Sequence, residues 1–375
     1  MSALQSFLKT SEKRLGVPAR AFDDESVASV EVVSTGSLAL DHAIGVGGIP
    51  RGRITEIYGP TGGGKTTLAL TAAKHCQDLG GIVAFIDAEQ ALNPELVTAI
   101  GLDKSRLVLV QPDHGNQAAD ISKALVESDL FDMVIMDSAA AMTPKEEVEA
   151  DMDQNFMGLL PRLLSRWMRS ITVPVQRHNV SLVVINQVRT NLSQYGAPND
   201  STGGQALKFY SSLRIEVRTS AGRQIKNGSE VIGTTVLATV KKNKFAAPFK
   251  KAEYDVMFGK GIDPGRGAFT VGLELGVINK SGNTYTVVKS GADLEDVDVR
   301  LAVGQPKAIE ALHDDAELLK GVEDACRAVM RGASSPEPEP EPDEEVNEEP
   351  GLLAGASTGG SSSAANGENF FGLDD

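Results

Sequence analysis

The stretch "RITEIYGPTGGGKTTLAL", residues 53–70, decides the fold. Its first half is an apolar, β-branched run that reads as a buried strand, and Thr66 to Leu79 carries helical spacing. Between them "GPTGGGKTT" (59–67) matches G-x-x-x-x-G-K-[ST], placed after a strand and opening a helix. Gly59 and Gly64 frame the loop, Pro60 and Thr61 carry it outward, and Gly62 and Gly63 let its N–H groups close round phosphate oxygens. The helix N-terminus, opening at Lys65, Thr66 and Thr67, adds its dipole. Lys65 is expected to reach β and γ phosphates and the Thr66 hydroxyl to ligate Mg²⁺, so the expected ligands are ATP and Mg²⁺. A chance glycine turn would not put strand, loop, lysine, hydroxyl and helix in register.

Outward from the loop, strands and helices alternate as far as Phe258. "GIVAFIDAE", "RLVLVQP", "MVIMDS" and "SLVVINQ" read as strands, and Asn116 to Glu127 and Leu159 to Val175 as helices, with Pro174 expected to end or bend the second. Continuous apolar strands separated by helices imply an α/β fold with a mostly parallel sheet covered on both faces. Three further strand-like runs, 211–219, 233–242 and 252–258, should extend that sheet antiparallel. Residues 265–331 read as a smaller α+β lobe, with helical runs near 266–275, 305–312 and 316–330.

Two strand-end acids matter beside a phosphate loop. "MVIMD" delivers Asp137 at the C-terminal end of its strand, where open α/β sheets bind ligands, and this fits a carboxylate holding Mg²⁺ through water. "AFIDAE" delivers Glu89, placed to orient and deprotonate an attacking water. Asp87 shares its face but lies deeper and is the weaker candidate.

Composition excludes several classes. Hydrophobic residues are 41% and charged residues 23%, ordinary for a globular protein. No apolar run approaches a membrane span, and "MSALQSFLKTSEKRLG" lacks a signal-peptide core. Cys76 and Cys326 are too few for a disulfide scaffold, and the five histidines make no metal-ligand spacing, so a reducing, cytoplasmic setting is expected. The net charge of −15 argues weakly against nucleic acid, because eleven acids and no Lys or Arg follow Arg331, which leaves −4 for the rest. That tail, "SSPEPEPEPDEEVNEEPG" and onward, reads as disordered, since it buries too little to offset chain entropy.

"VINQVRTNLSQYGAPNDSTGGQALKFY", residues 184–210, begins as a strand and then loses all period between Arg189 and Gln205. A loop this long in a compact domain is usually functional or disordered.

Several stretches together resemble the bacterial RecA recombinase family: "STGSLALDHAIGVGGIPRGRITEIYGPTGGGKTT", "FIDAEQAL", "VIMDSAAAMTPK", "MGLLPRLLSRWMR", "INQVR", "STGGQALKFY" and "KKNKFAAPFK", in order over about residues 30–330. The resemblance implies a RecA-like P-loop NTPase core that forms ATP-dependent helical filaments of itself on single-stranded DNA and pairs it with homologous double-stranded DNA, in recombination and repair. By the resemblance the chain divides into a polymerisation helix and strand (1–33), an ATPase core with two DNA-binding loops (34–264), a small domain (265–331) and the acidic tail (332–375). The loop after "NQ" becomes a DNA-binding element ordered by DNA, involving Arg189, Tyr195, Thr202, Gly203, Gly204 and Gln205, the glycines allowing close approach to a phosphate backbone. Gln187 links nucleotide state to that loop. Met157, Gly158, Arg162 and Arg169 face the DNA axis, and the two arginines take phosphates. The resemblance also brings Lys242 and Lys244 to ATP on the neighbouring subunit, with Lys208 and Phe209 at the same boundary, and adds a self-cleaving repressor and single-strand-binding or loader proteins as partners.

The chain departs from the family at Asn93 and Leu96, where an Asp-Pro and an aromatic residue are usual. Its acidic tail reads either as a solubility device or as a tethered polyanion competing with DNA. A hexameric helicase-type motor on the same core is the second reading; it would carry an arginine finger and lack "TGGQALKFY". A third is a non-enzymatic scaffold switched by ATP.

Overall fold

A computed structural model describes residues 3–16, 30–151, 156, 158–190, 199–288 and 299–332. Met157, Tyr195 and the tail from 333 lie outside the described residues. Helix α1 (Ala3–Leu15) is followed by β1 (Val32–Val33), α2 (Leu38–Ile44) and β2 (Ile49–Pro50). Then come β3 (Ile54–Gly59), α3 (Lys65–Asp78), β4 (Val83–Asp87), α4 (Pro94–Ile100), β5 (Leu107–Val110), α5 (Gly115–Glu127) and β6 (Met133–Asp137). The chain continues through α6 (Lys145–Val148), α7 (Leu159–Arg177), β7 (Ser181–Thr190), β8 (Asn199–Ser201), α8 (Ala206–Tyr210), β9 (Leu213–Asn227) and β10 (Glu230–Asn243). It ends with β11 (Lys251–Met257), β12 (Gly261–Asp263), α9 (Pro264–Glu274), β13 (Ile278–Ser281), β14 (Thr284–Val287), β15 (Val299–Val303), α10 (Gln305–Asp314) and α11 (Ala316–Met330).

The central sheet has ten described strands in the order β12-β11-β10-β9-β3-β7-β6-β4-β5, with β8 paired to β7. From β9 to β5 every pair is parallel. The alternation of each strand sends Ile57, Phe85, Ile135 and Val183 to the face under α3. Ala84, Ile86, Val134, Met136, Leu182 and Val184 point to the other face, under α5 and α7. Covering both faces explains why these strands read as unbroken apolar runs. Phe269, Tyr285, Leu312 and Val322 of the last elements join the α3-side cluster, and the Phe269 and Tyr285 rings meet edge-on at 5.0 Å.

The structure corrects three expectations. The run at 211–219 does not extend the sheet antiparallel: β9 lies parallel to β3, after the short helix α8, and only β10 to β12 alternate. Pro174 does not end α7, which runs on to Arg177. Proline costs that helix the bond to the Ser170 carbonyl, which stands on an exposed residue where solvent can serve it, and the His178 amide bonds Pro174 O at 2.9 Å to close the last turn. The stretch from Arg189 to Gln205 is not irregular at its roots: Val188, Arg189 and Thr190 pair with Ser201, Asp200 and Asn199. "NDS" carries no strand propensity, so this pairing comes from closing the loop and gave no sequence signal.

Candidate functional site

β3 ends against β9 so tightly that a Cβ on Gly59 would lie 2.0 Å from Val217 O, and only glycine fits there. The loop then curls over Lys65, whose Nζ donates to Pro60 O at 2.8 Å and Gly59 O at 3.2 Å. Burial pulls the Lys65 ammonium below its ordinary range against the attraction of Asp137 and Glu89. Thr66 Oγ1 donates to Asp137 Oδ2 at 2.7 Å, so the helix start and the β6 end are joined across the sheet. Burial first, then Glu89 and Asp87, raise the Asp137 carboxyl to about 6, against the Thr66 bond and Lys65. A hydroxyl and a buried, under-neutralised carboxylate side by side are hard oxygen donors, and they fit Mg²⁺. Among the described residues no cluster of three His, Cys, Asp or Glu forms a separate metal site.

Asp137 gives a pH prediction for the metal-free protein. A carboxyl whose folded pKa of about 6 exceeds its ordinary 3.8 binds protons more tightly when folded, so stability is lost as pH rises through that window. The stability of the wild type minus that of Asp137→Asn should fall by about 2 kcal/mol between pH 4 and pH 7. Denaturant melts at each pH measure it; a flat difference would show that Asp137 ionises freely.

Glu89 stands exposed beyond β4. Its Oε1 accepts from Ser138 Oγ at 2.5 Å and from Gln187 Nε2 at 2.7 Å. The structure thus brings Lys65, Thr66, Asp137, Glu89 and Gln187 together at the C-terminal ends of β3, β6, β4 and β7. Ser138, which sequence reasoning missed, holds Glu89. Asp87 does not share this work: its oxygens accept from the amides of Ala91 and Leu92 and from Gln111 Nε2, and so fix the turn into α4. Asn93 caps α4 through the Glu95 amide, and Leu96 packs on the core. An aromatic surface comes instead from Phe258, 57% exposed, which lines a cavity with Gly62 to Thr67, Thr234, Val236 and Val256. Sequence reasoning missed Phe258 too; nothing local to β11 reveals that its end meets the loop.

Gln187 also starts the long loop. Its carbonyl accepts from the Thr202 amide at 2.9 Å and from Thr202 Oγ1 at 3.0 Å. Thr202 is therefore a buried anchor of the loop's return, not a projecting contact. Gly203 and Gly204 have φ of 88° and 80°. A Cβ on Gly203 would stand 2.2 Å from Leu164 Cδ1, and one on Gly204 3.2 Å from Pro161 Cβ. Their bareness lets the loop's return lie against α7. Gln205 is exposed and precedes α8. Arg189 stands on β7 opposite Asp200.

Helix α7 opens at Gly158, φ 85°, which puts Pro161 in the first turn. Its inner face is Leu164, Trp167, Met168, Ile171 and Val175. Its outer face carries exposed Arg162, Arg166 and Arg169, at i, i+4 and i+7. Arg166 was missed, although the spacing alone places it in the stripe.

Lys242 is elsewhere. Its register partner is Arg214 on β9, whose own partner is Glu56 on β3. Glu56 lies three residues before Gly59, so Lys242 sits about 10 Å back along the sheet from the phosphate loop and about 10 Å across it. Its Nζ donates to Lys208 O at 2.6 Å and Phe209 O at 2.9 Å. Burial, with Lys244 and Arg214 nearby, lowers its pKa against the pull of Glu56. Lys208, Phe209, Lys242 and exposed Lys244 therefore gather at one end of the sheet's strands, away from the phosphate loop, with the Phe209 ring 70% exposed.

No described helix is long and apolar enough to cross a membrane. The model of the RecA N-terminal domain matches residues 2–263. Protein RecA of Bacteroides thetaiotaomicron is 43% identical over 325 residues, covering 86% of this chain and 95% of that protein. Protein RecA of Thermus aquaticus is 43% identical over 322 residues (85% and 92%). Protein RecA of Acinetobacter baylyi is 38% identical over 353 residues (94% and 97%). Over most of its length, and through every element that builds the site, the chain belongs to the RecA family.

Proposed function

We propose that this chain is a DNA-dependent ATPase that polymerises on single-stranded DNA and pairs it with a homologous duplex in DNA recombination and repair. The observation that carries the reading is the 2.7 Å bond from Gln187 to Glu89. One side chain joins the acid facing the phosphate loop to the strand that continues into the long loop, so the state of the nucleotide can reach the DNA grip. Nothing in the chain favours a helicase motor.

In this reading the amides of 59–67 and the Lys65 ammonium hold the β and γ phosphates. The Thr66 hydroxyl and, through water, Asp137 would hold Mg²⁺, which would supply neutralising charge to the phosphates. Glu89 takes the proton of the attacking water, oriented by Ser138 and Gln187. Phe258 offers the base an apolar face. Lys242 and Lys244 lie at the far end of their own sheet's strands, so they serve the γ phosphate of a neighbouring copy, with Lys208 and Phe209 packing at that boundary. ATP then sits between protomers, and turnover requires assembly. DNA lies along the α7 stripe and the adjoining loop, held by Arg162, Arg166, Arg169 and Arg189, with Gly158 and Gln205 beside them; Met157 and Tyr195, outside the described residues, are further expected contacts. A self-cleaving repressor and loader proteins are the expected protein partners.

The test is the affinity for a fluorescent oligo-dT with an ATP analogue, with ADP and with no nucleotide. The ATP state should bind about tenfold or more tighter; equal affinities in all three would end this reading. The arginine stripe adds a sharper expectation. Single-strand affinity falls with log[salt] by roughly 0.7 per phosphate neutralised, so Arg162→Ala, Arg166→Ala and Arg169→Ala should each flatten the slope by about 0.7. Arg177→Ala, past Pro174 on the same helix, should leave it unchanged.

A further inference from the structure

The strand "ITEIYG" puts an acid in the middle of a fully buried run, and Glu56 is 0% exposed. A buried carboxylate is tolerated only when its oxygens are bonded and its charge is met. Each oxygen of Glu56 has its own partner. Oε1 accepts from Asn186 Nδ2 at 3.0 Å, and Oε2 accepts from Arg214 Nε. The Arg214 guanidinium also lies over the Tyr58 ring, 4.5 Å from its centre.

These two partners stand at opposite ends of one segment. Asn186 Nδ2 also donates to Thr202 O at 3.0 Å, and Asn186 Oδ1 accepts from the Gln187 amide at 2.9 Å. Asn186 therefore fixes the point where the long loop returns, beside the residue that touches Glu89. Arg214 opens β9, immediately after α8, and is the register partner of Lys242. Between these pins lie Gly203, Gly204, Gln205 and α8, with Lys208 and Phe209. A single buried carboxylate thus holds the start and the end of the segment that runs from the loop root to the proposed subunit edge. Both pins lie on the β3–β7–β9 strip, which also carries the phosphate loop.

We propose that Glu56 is a positioning residue that couples the nucleotide site to the DNA loop and to the subunit edge. It does so by tying Asn186, and through it Gln187 and Thr202, to Arg214. Asn186 is one peptide from Gln187 and bonds its amide, so a shift of Gln187 at Glu89 reaches Asn186, and Glu56 passes it to Arg214 and the strand beside Lys242. The argument rests on the function proposed above, since it needs a nucleotide-dependent grip on DNA to transmit.

Two substitutions test it. Glu56→Gln keeps the shape but replaces one acceptor oxygen by a donor, so it cannot accept from both Asn186 and Arg214. Asn186→Ala cuts only the loop side and leaves the Glu56–Arg214 pair whole, which serves if Glu56→Gln folds poorly. The readout is the ratio of oligo-dT dissociation constants with ADP and with a slowly hydrolysed ATP analogue, measured on the full chain. Analogue affinity without DNA is measured in parallel. In the wild type the ratio should be about tenfold or more; in each folded variant it should drop to within about threefold of unity. Analogue affinity should stay within about threefold of wild type. A merely structural role would weaken DNA binding in both nucleotide states and leave the ratio intact, and that result overturns the proposal. A wild-type ratio of one would instead remove the functional reading beneath it, so the two failures are distinguishable.

Discussion

Glu89→Gln should bind ATP and single-stranded DNA as the wild type does, yet hydrolyse ATP about 10²–10⁴-fold more slowly in the presence of DNA. The amide keeps an oxygen to accept from Ser138 Oγ and Gln187 Nε2, so the geometry at Glu89 survives. What is lost is a base. Lys65, Thr66 and Asp137 are the proposed holders of the phosphates and the metal, and the bonds of Lys65 and Thr66 go to Gly59 O, Pro60 O and Asp137 rather than to that carboxylate, so binding and chemistry should separate. Steady-state turnover with saturating oligo-dT, beside an analogue-binding titration, reads both quantities. Turnover close to wild type would show that Glu89 is not the base, and would favour a scaffold that uses ATP only as a switch.

The second large effect concerns the neighbouring copy. Lys242→Ala should cost on the order of 10³-fold or more in turnover, the scale of a transition-state cation supplied in trans. It should barely alter nucleotide binding by isolated chains, because Lys242 stands at the far end of its own sheet's strands and donates to α8. Mixing separates this from a local defect. A filament of Glu89→Gln and Lys242→Ala chains contains junctions where an intact Glu89 meets an intact Lys242. At equal proportions these are about a quarter of the total if the two assemble at random. The mixture should therefore regain about a quarter of wild-type turnover, although each variant alone is almost inactive. A mixture no more active than its components would place Lys242 outside the shared site.

Much of this was legible in residues. The phosphate loop announced itself because its chemistry needs particular residues at fixed spacing, and its strand and helix formed as the pattern required. That Glu89 and Asp137 stand near one another was legible because strand ends in a parallel sheet converge on one edge. The stripe on α7 was half found: Arg162 and Arg169 came from resemblance, while Arg166 needed only helical periodicity. Other features stayed hidden because they depend on contacts between distant segments. The acid in "ITEIYG" drew no sequence reading, and nothing local names its partners Asn186 and Arg214, which lie 130 and 158 residues away. That Gly203 and Gly204 stand against Leu164 and Pro161 likewise depends on α7, about forty residues earlier, and has no local signal. Phe258 meets the phosphate loop only because β11 joins the sheet two strands from β9.

ATP turnover by the purified full chain, with and without an unpaired DNA strand over a range of salt, most directly tests whether nucleotide and DNA act through one assembly. At low salt the strand should accelerate hydrolysis about tenfold or more, and the acceleration should fade as salt loosens the phosphate contacts. Identical rates with and without the strand at every salt concentration would contradict the account.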